Sequence, residues 1–171
     1  MTNPISKYAP AAYSLVASAV FLDSLRFKFT NAPETQTIFG KLDAWAASFG
    51  AAGLFAQTGL FSQYVIGAAE LAAAALLLAS LVPALRRLRT VGALIAAAVM
   101  TGAVSFHLFT PLGIDPNADG GGLFAMAVVV WLSSVAMLVA GRRTIAELAR
   151  AVLAALIPDS NSGPQPTPAR S

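Results

Sequence analysis

Apolar residues run through this chain in blocks longer than the helices and strands of a water-soluble domain require. A helix that crosses the hydrocarbon core of a bilayer needs about 20 mostly apolar residues, because that core is about 30 Å thick and each residue rises about 1.5 Å. Three blocks meet this length. Residues 60–82 carry one formal charge, Glu70; residues 90–110 carry none but include His107; residues 122–140 carry neither a charge nor a histidine. A fourth block, 8–28, is apolar as far as Asp23 and then meets Arg26 and Lys28, so it is predicted as a span with a polar outer end. Together they predict an all-α fold, an integral membrane antiparallel four-helix bundle.

Between the first two blocks the period changes. Ile38, Phe39, Leu42, Trp45, Ala46 and Phe49 recur at three- and four-residue spacing, while Lys41 and Asp43 fall off that face. This stripe predicts a short amphipathic helix over 38–52, lying at the interface or capping the bundle. A fifth span over 38–57 is the alternative. After the last block, Ile145, Leu148, Val152 and Leu156 keep helical spacing beside Arg142, Arg143 and Arg150. They predict a second interfacial helix over 143–157 on the cytoplasmic surface. Residues 158–171, with Pro158, Pro164, Pro166 and Pro168 among Ser, Asn and Gly, predict a disordered cytoplasmic tail.

Composition agrees with a membrane setting. Apolar residues make up 57% and charged residues 11%, against about 25% charged in a soluble domain; mean hydropathy is +0.70. These values argue against a soluble globular protein, a disordered chain and a nucleic-acid binder. The isoelectric point near 9.7 accompanies a net charge of only +3, and the basic residues flank apolar blocks. Lys7, Arg86, Arg87, Arg89, Arg142, Arg143, Arg150 and Arg170 fall on one side of a four-span chain, and Arg26, Lys28 and Lys41 on the other. The positive-inside rule then places both termini and the 86–89 loop in the cytoplasm. A fifth span would move the later arginines across and reverse the chain. Lys7 followed by Ala17-Ser18-Ala19 also fits a cleaved signal peptide, but Phe21 and Leu22 continue the apolar run, which favours a retained helix. Cysteine is absent, which excludes disulfides, thiolate metal sites, iron–sulfur ligation and thiol redox chemistry within the chain.

Ionisable groups inside a membrane are costly and need a partner or a purpose. In this topology Asp23, Arg26, Lys28, Glu70 and His107 all belong to the outer half, next to Lys41, and the inner half is expected to hold almost no polar groups. Asp23 and Arg26 are three residues apart and share a helix face. Glu70 requires a cation or a hydrogen-bond donor: Arg26, Lys28 and Lys41 are candidates, and His107 is able to share a proton with it. Three readings stand: ion pairs that fix helix register, a polar pocket that binds a ligand or moves protons, or a contact with a partner subunit. Trp45, Phe61, Tyr64, Phe106 and Phe109 either line an apolar ring pocket or form an interfacial aromatic belt. His107 suits a proton-active role beside a quinone head. A lone histidine with scattered carboxylates lacks the spacing of a metal or haem site. Asp115, Asn117 and Asp119 echo the start of a calcium loop, but the later glutamate is missing. Gly67, Gly92 and Ala96, among long alanine runs, supply smooth faces for packing within the bundle or for a homodimer.

Three segments carry a family resemblance over residues 10–140. They are the end of the first helix with Lys28-Phe29, Gly67-Ala68-Ala69-Glu70-Leu71 opening an Ala/Leu run, and Gly102-Ala103-Val104-Ser105-Phe106-His107-Leu108 closing the third helix. In these the chain resembles the DoxX-like family of small four-helix bacterial membrane proteins. The insertion between Asn31 and Phe55 departs from a minimal member and lets Lys41-Leu42 compete with Lys28-Phe29 for the family lysine. The resemblance implies a bundle in the bacterial cytoplasmic membrane, and some members are subunits of membrane oxidoreductases, including a thiosulfate:quinone system. Fold alone does not assign function, and the lack of cysteine weakens a direct sulfur-redox role.

The resulting expectation is an accessory membrane subunit of a redox system. It holds a quinone-like molecule in the outer half, with Glu70 and His107 exchanging protons and Arg26 and Lys28 tuning their charge. A structural or interaction protein is the alternative. A small proton-coupled transporter fits less well, because no polar path through the inner half is visible.

Overall fold

The computed structural model describes residues 4–156, with side chains from residue 8 onward, and all regular structure within that range is helical. Helix α1 runs over Pro4–Phe29, α2 over Pro33–Ala47, α3 over Gln63–Ala79, α4 over Leu88–Phe109, α5 over Gly122–Ala140 and α6 over Arg142–Leu156, with a 3-10 turn at Pro83–Leu85. The predicted tail at 158–171 lies outside the described residues.

Local chemistry sets the helix ends. Helix α2 begins five residues earlier than the apolar stripe predicts, because Pro33 occupies the first helical turn behind an extended Ala32. It ends before Gly50, whose φ of +81° suits a residue without a Cβ. At 15 residues it rises about 22 Å, less than the hydrocarbon thickness. Helix α3 starts at Ser62, whose Oγ accepts the Val65 N–H at 3.3 Å. It is shorter than the predicted 60–82 span, because Leu60-Phe61 and Leu81-Val82 belong to the flanking turns. Helix α4 ends at an extended Thr110 in front of Pro111.

Helix α1 packs on α3, α3 on α4 and α4 on α5, and α5 returns to α1 through a thinner contact, which closes a ring of four. Helices α1 and α3 are antiparallel: Ser14 meets Ser80, Ser18 meets Ala74 and Lys28 meets Glu70, so numbers rise along α1 as they fall along α3. The interior combines Tyr13, Ala17 and Phe21 of α1 with Ala73, Ala74 and Leu77 of α3, Ala93, Ala96 and Met100 of α4, and Ala127 and Val130 of α5. Small residues bring the backbones close. A Cβ added at Gly92 would lie 2.9 Å from Leu77 Cγ, so glycine is what this crossing admits.

Among the described residues two helices, α4 and α5, are long and apolar enough to cross a membrane. Helix α5 turns Met126, Val129, Leu132 and Val139 outward, where they are exposed. Helix α2 lies across one end of the ring, where Leu42 and Ala46 pack with Phe55 and Leu112. Helix α6 packs mainly beside α5 and leaves Val152, Leu153 and Leu156 exposed.

Candidate functional site

The last turns of α1 and the middle of α3 meet under the α2 end of the ring. Lys28 Nζ lies 3.0 Å from Glu70 Oε1, and the two side chains are 14% and 4% exposed. The ammonium also donates to Ser24 Oγ one turn earlier on α1. Gly67 lies one turn before Glu70 and faces Leu25, Lys28 and Phe29 of α1, at a distance where a Cβ would make ordinary contacts. Glu70 Oε2 has no hydrogen-bond partner although it is buried. Buried carboxylate oxygens are ordinarily satisfied, so this atom is a vacant acceptor in a low-dielectric setting.

An amide network supports the pair. Gln63, fully buried at the start of α3, donates to Lys28 O at 2.8 Å and to Asn31 Oδ1 at 3.1 Å, and its Oε1 accepts from Gln36 Nε2 at 2.7 Å. Asn31 Oδ1 also accepts from Gln36 and from Gln57. Asn31 sits at φ +56°, a region that asparagine tolerates better than most residues. The network clamps the α1–α2 turn to α3 and so fixes the depth of Lys28. The sequence reading omitted Gln63, Asn31 and Ser24, because neutral amides and hydroxyls carry no charge signal.

The other predicted residues are placed elsewhere. Arg26 pairs with Asp23 at 3.0 Å, but these side chains are 67% and 65% exposed, and the guanidinium also rests 4.7 Å from the Phe27 ring centroid. Lys41 Nζ donates to Pro116 O at 3.4 Å, tying α2 to the turn before α5. His107 is buried, with Nδ1 2.6 Å from Gly113 O. A carbonyl only accepts, so Nδ1 carries the proton and the ring fastens the 110–113 turn to α4. Its ring centroid is 5.5 Å from that of Phe124. Of the three candidate cations, Lys28 is therefore the one that meets Glu70.

The aromatic residues also divide. Phe55, which the sequence reading did not single out, joins Phe106 at 5.3 Å and Phe61 at 5.9 Å between ring centroids, and Trp45 reaches Phe106 at 6.4 Å. Tyr64 stacks instead on Phe29, and Phe109 points outward. The acidic turn is a capping device. Asp119 Oδ2 accepts the Leu123 N–H at 2.8 Å and Oδ1 the Gly121 N–H at 3.0 Å, while Asp115 accepts the Asp119 N–H at 2.7 Å. The Leu123 N–H, helped by Asp115 and the Gly121 N–H, holds the Asp119 carboxyl below its ordinary value of 3.8. Among the described residues no acidic and histidine groups cluster for a metal.

The opposite half corrects an expectation. It is not poor in buried polar groups; it is poor in buried charge. Tyr13 Oη and Ser134 Oγ are 2.8 Å apart, Ser14 and Ser80 share a bond at 3.3 Å, and Ser18 donates to Ala74 O at 3.3 Å. Ser14 and Ser18, one turn apart on α1, were the legible sign of this seam.

No family model, curated protein or solved structure matches the chain. The site is therefore weighed on its own geometry.

Proposed function

We propose that this chain is a multi-pass protein of the bacterial cytoplasmic membrane, with α1, α3, α4 and α5 as its four spans and both termini cytoplasmic. In this reading it is an accessory subunit of a redox system and holds a small quinone-like molecule beside Glu70. The membrane placement is supported by α5, an apolar helix of which only 17% is buried. An outward row of Met, Val and Leu would be an aggregation liability in water, and lipid covers it without cost.

The ligand reading rests on one observation, the buried Glu70 Oε2 that lacks a donor. Its sister oxygen is engaged by Lys28, so the pair presents an ammonium and an open carboxylate oxygen side by side. A headgroup that alternates between carbonyl and hydroxyl matches both: the ammonium donates to a carbonyl, and the carboxylate accepts from a hydroxyl. Phe29 and Tyr64 supply ring surface nearby. The resemblance to DoxX-like proteins adds the redox context. With no cysteine in the chain, electron transfer to sulfur belongs to a partner subunit.

Purification in mild detergent, followed by mass spectrometry of the extract, tests this. A quinone in stoichiometric amount is expected with the wild-type chain and is lost in Glu70→Gln, while His107→Ala, which loosens the 110–113 turn, keeps it with a lower Tm. Phospholipid alone in wild type and Glu70→Gln alike would reject the ligand. A second reading would then hold, in which the Lys28–Glu70 pair only sets the register of α1 on α3. The engagement of Arg26, Lys41 and His107 away from Glu70 favours that second reading.

A further inference from the structure

The end of the ring opposite Glu70 carries a cleft of about 330 Å³ where the first turns of α1 and α4 meet the end of α5. Arg86, Arg87, Arg89 and Thr90 contribute its polar wall, and Ala93 and Met137 are among its apolar residues. Among the described residues the ion pairs are Arg26–Asp23 and Lys28–Glu70, so no carboxylate neutralises the guanidinium groups in this cleft. Arg89 is half-buried and held by neutral partners, with Nε donating to Ser14 Oγ and Nη2 to Ser80 O, each at 3.3 Å. Helix α4 also opens here without a side-chain cap, which adds the positive end of its dipole.

We infer that this cleft binds the phosphodiester headgroup of one anionic phospholipid. Guanidinium groups match phosphate oxygens in charge and in hydrogen-bond geometry. The partly buried Met137 and the exposed Ala140 on its α5 wall give the acyl chains an apolar surface. A zwitterionic lipid is disfavoured, because its ammonium would face the same unneutralised arginines. Helix α6, with Val152, Leu153 and Leu156 exposed, leaves the bundle beside the cleft and suits the same headgroup level. The inference uses the membrane placement proposed above but not the ligand at Glu70, so each can fail without the other.

Native mass spectrometry of the full chain tests it, in dodecyl maltoside micelles containing equal amounts of dioleoyl phosphatidylglycerol and dioleoyl phosphatidylcholine. Wild type is expected to retain one phosphatidylglycerol in at least roughly tenfold preference. Each basic residue facing an anionic headgroup contributes about fivefold, so Arg86→Gln/Arg87→Gln lowers retention by roughly 30-fold. Both positions are exposed, so the fold survives the change. Arg143→Gln/Arg150→Gln removes the same charge outside the cleft and keeps the lipid. Equal retention of the two lipids overturns the inference. Equal loss in the two double variants does so too, since net charge would then explain the binding. Displacement of the lipid by millimolar inorganic phosphate would assign the cleft to a free anion instead.

Discussion

The two ends of the ring handle polarity in opposite ways. Under α2, a full ion pair is buried between α1 and α3, and one carboxylate oxygen is left without a donor. At the other end the buried groups are neutral hydroxyls, each bonded, and Arg86 and Arg87 stay exposed at the rim. Hydroxyls link helices at little desolvation cost, whereas burying two charges costs several kcal/mol per ion before their attraction returns it. The hydroxyl end is therefore what packing alone requires. The charged end goes beyond packing, which is why the proposed ligand is assigned there.

The comparison can be broken most sharply at Lys28. Lys28→Met strands the Glu70 carboxylate and is expected to cost about 3–5 kcal/mol, whereas Lys28→Met/Glu70→Leu recovers most of it. Thermal unfolding in detergent reads both. If the single variant is as stable as wild type, the pair is not buried as described. At the hydroxyl end the expected effect is smaller. Ser134→Ala removes the Tyr13 bond and should cost about 0.6 kcal/mol, the average for such links between membrane helices. A loss as large as that of Lys28→Met would erase the contrast.

The smallest effect lies outside both ends, at Asp119, and is read through pH. Because the folded carboxyl sits below 3.8, its contribution is complete above the unfolded value and fades as pH falls through the folded one. Its exposure keeps the contribution small. Wild type should lose Tm more steeply than Asp119→Asn as pH falls below about 4, and parallel curves would show that the cap does not hold α5.

Much of the helix pattern was legible because apolar blocks and their punctuation are local. The 90–110 and 122–140 blocks correspond closely to α4 and α5. The shift of α2 came from Pro33 and Gly50, which start and end a helix more firmly than a hydrophobic stripe does. The partner of Glu70 was not legible. Arg26, Lys28 and Lys41 are equivalent by charge, and only the antiparallel register, held by Gln63 on Lys28 O, selects among them. His107 was readable as a polar group near the end of its helix but not as the anchor of a turn, since Gly113 O is a backbone atom. The buried serines were passed over because a hydroxyl looks innocuous in an alanine-rich helix until a second one is found opposite.

The thin return contact between α5 and α1 has a consequence for motion. A closed ring with one slight joint behaves as two hairpin-like halves, α1 with α3 and α4 with α5, hinged along the broad α3–α4 seam. Tyr13 and Ser134 form the latch of that joint. Breathing of the molecule is then directional: the halves part on the α1–α5 side first. The interior then opens to the surrounding phase sideways, away from the end that α2 covers.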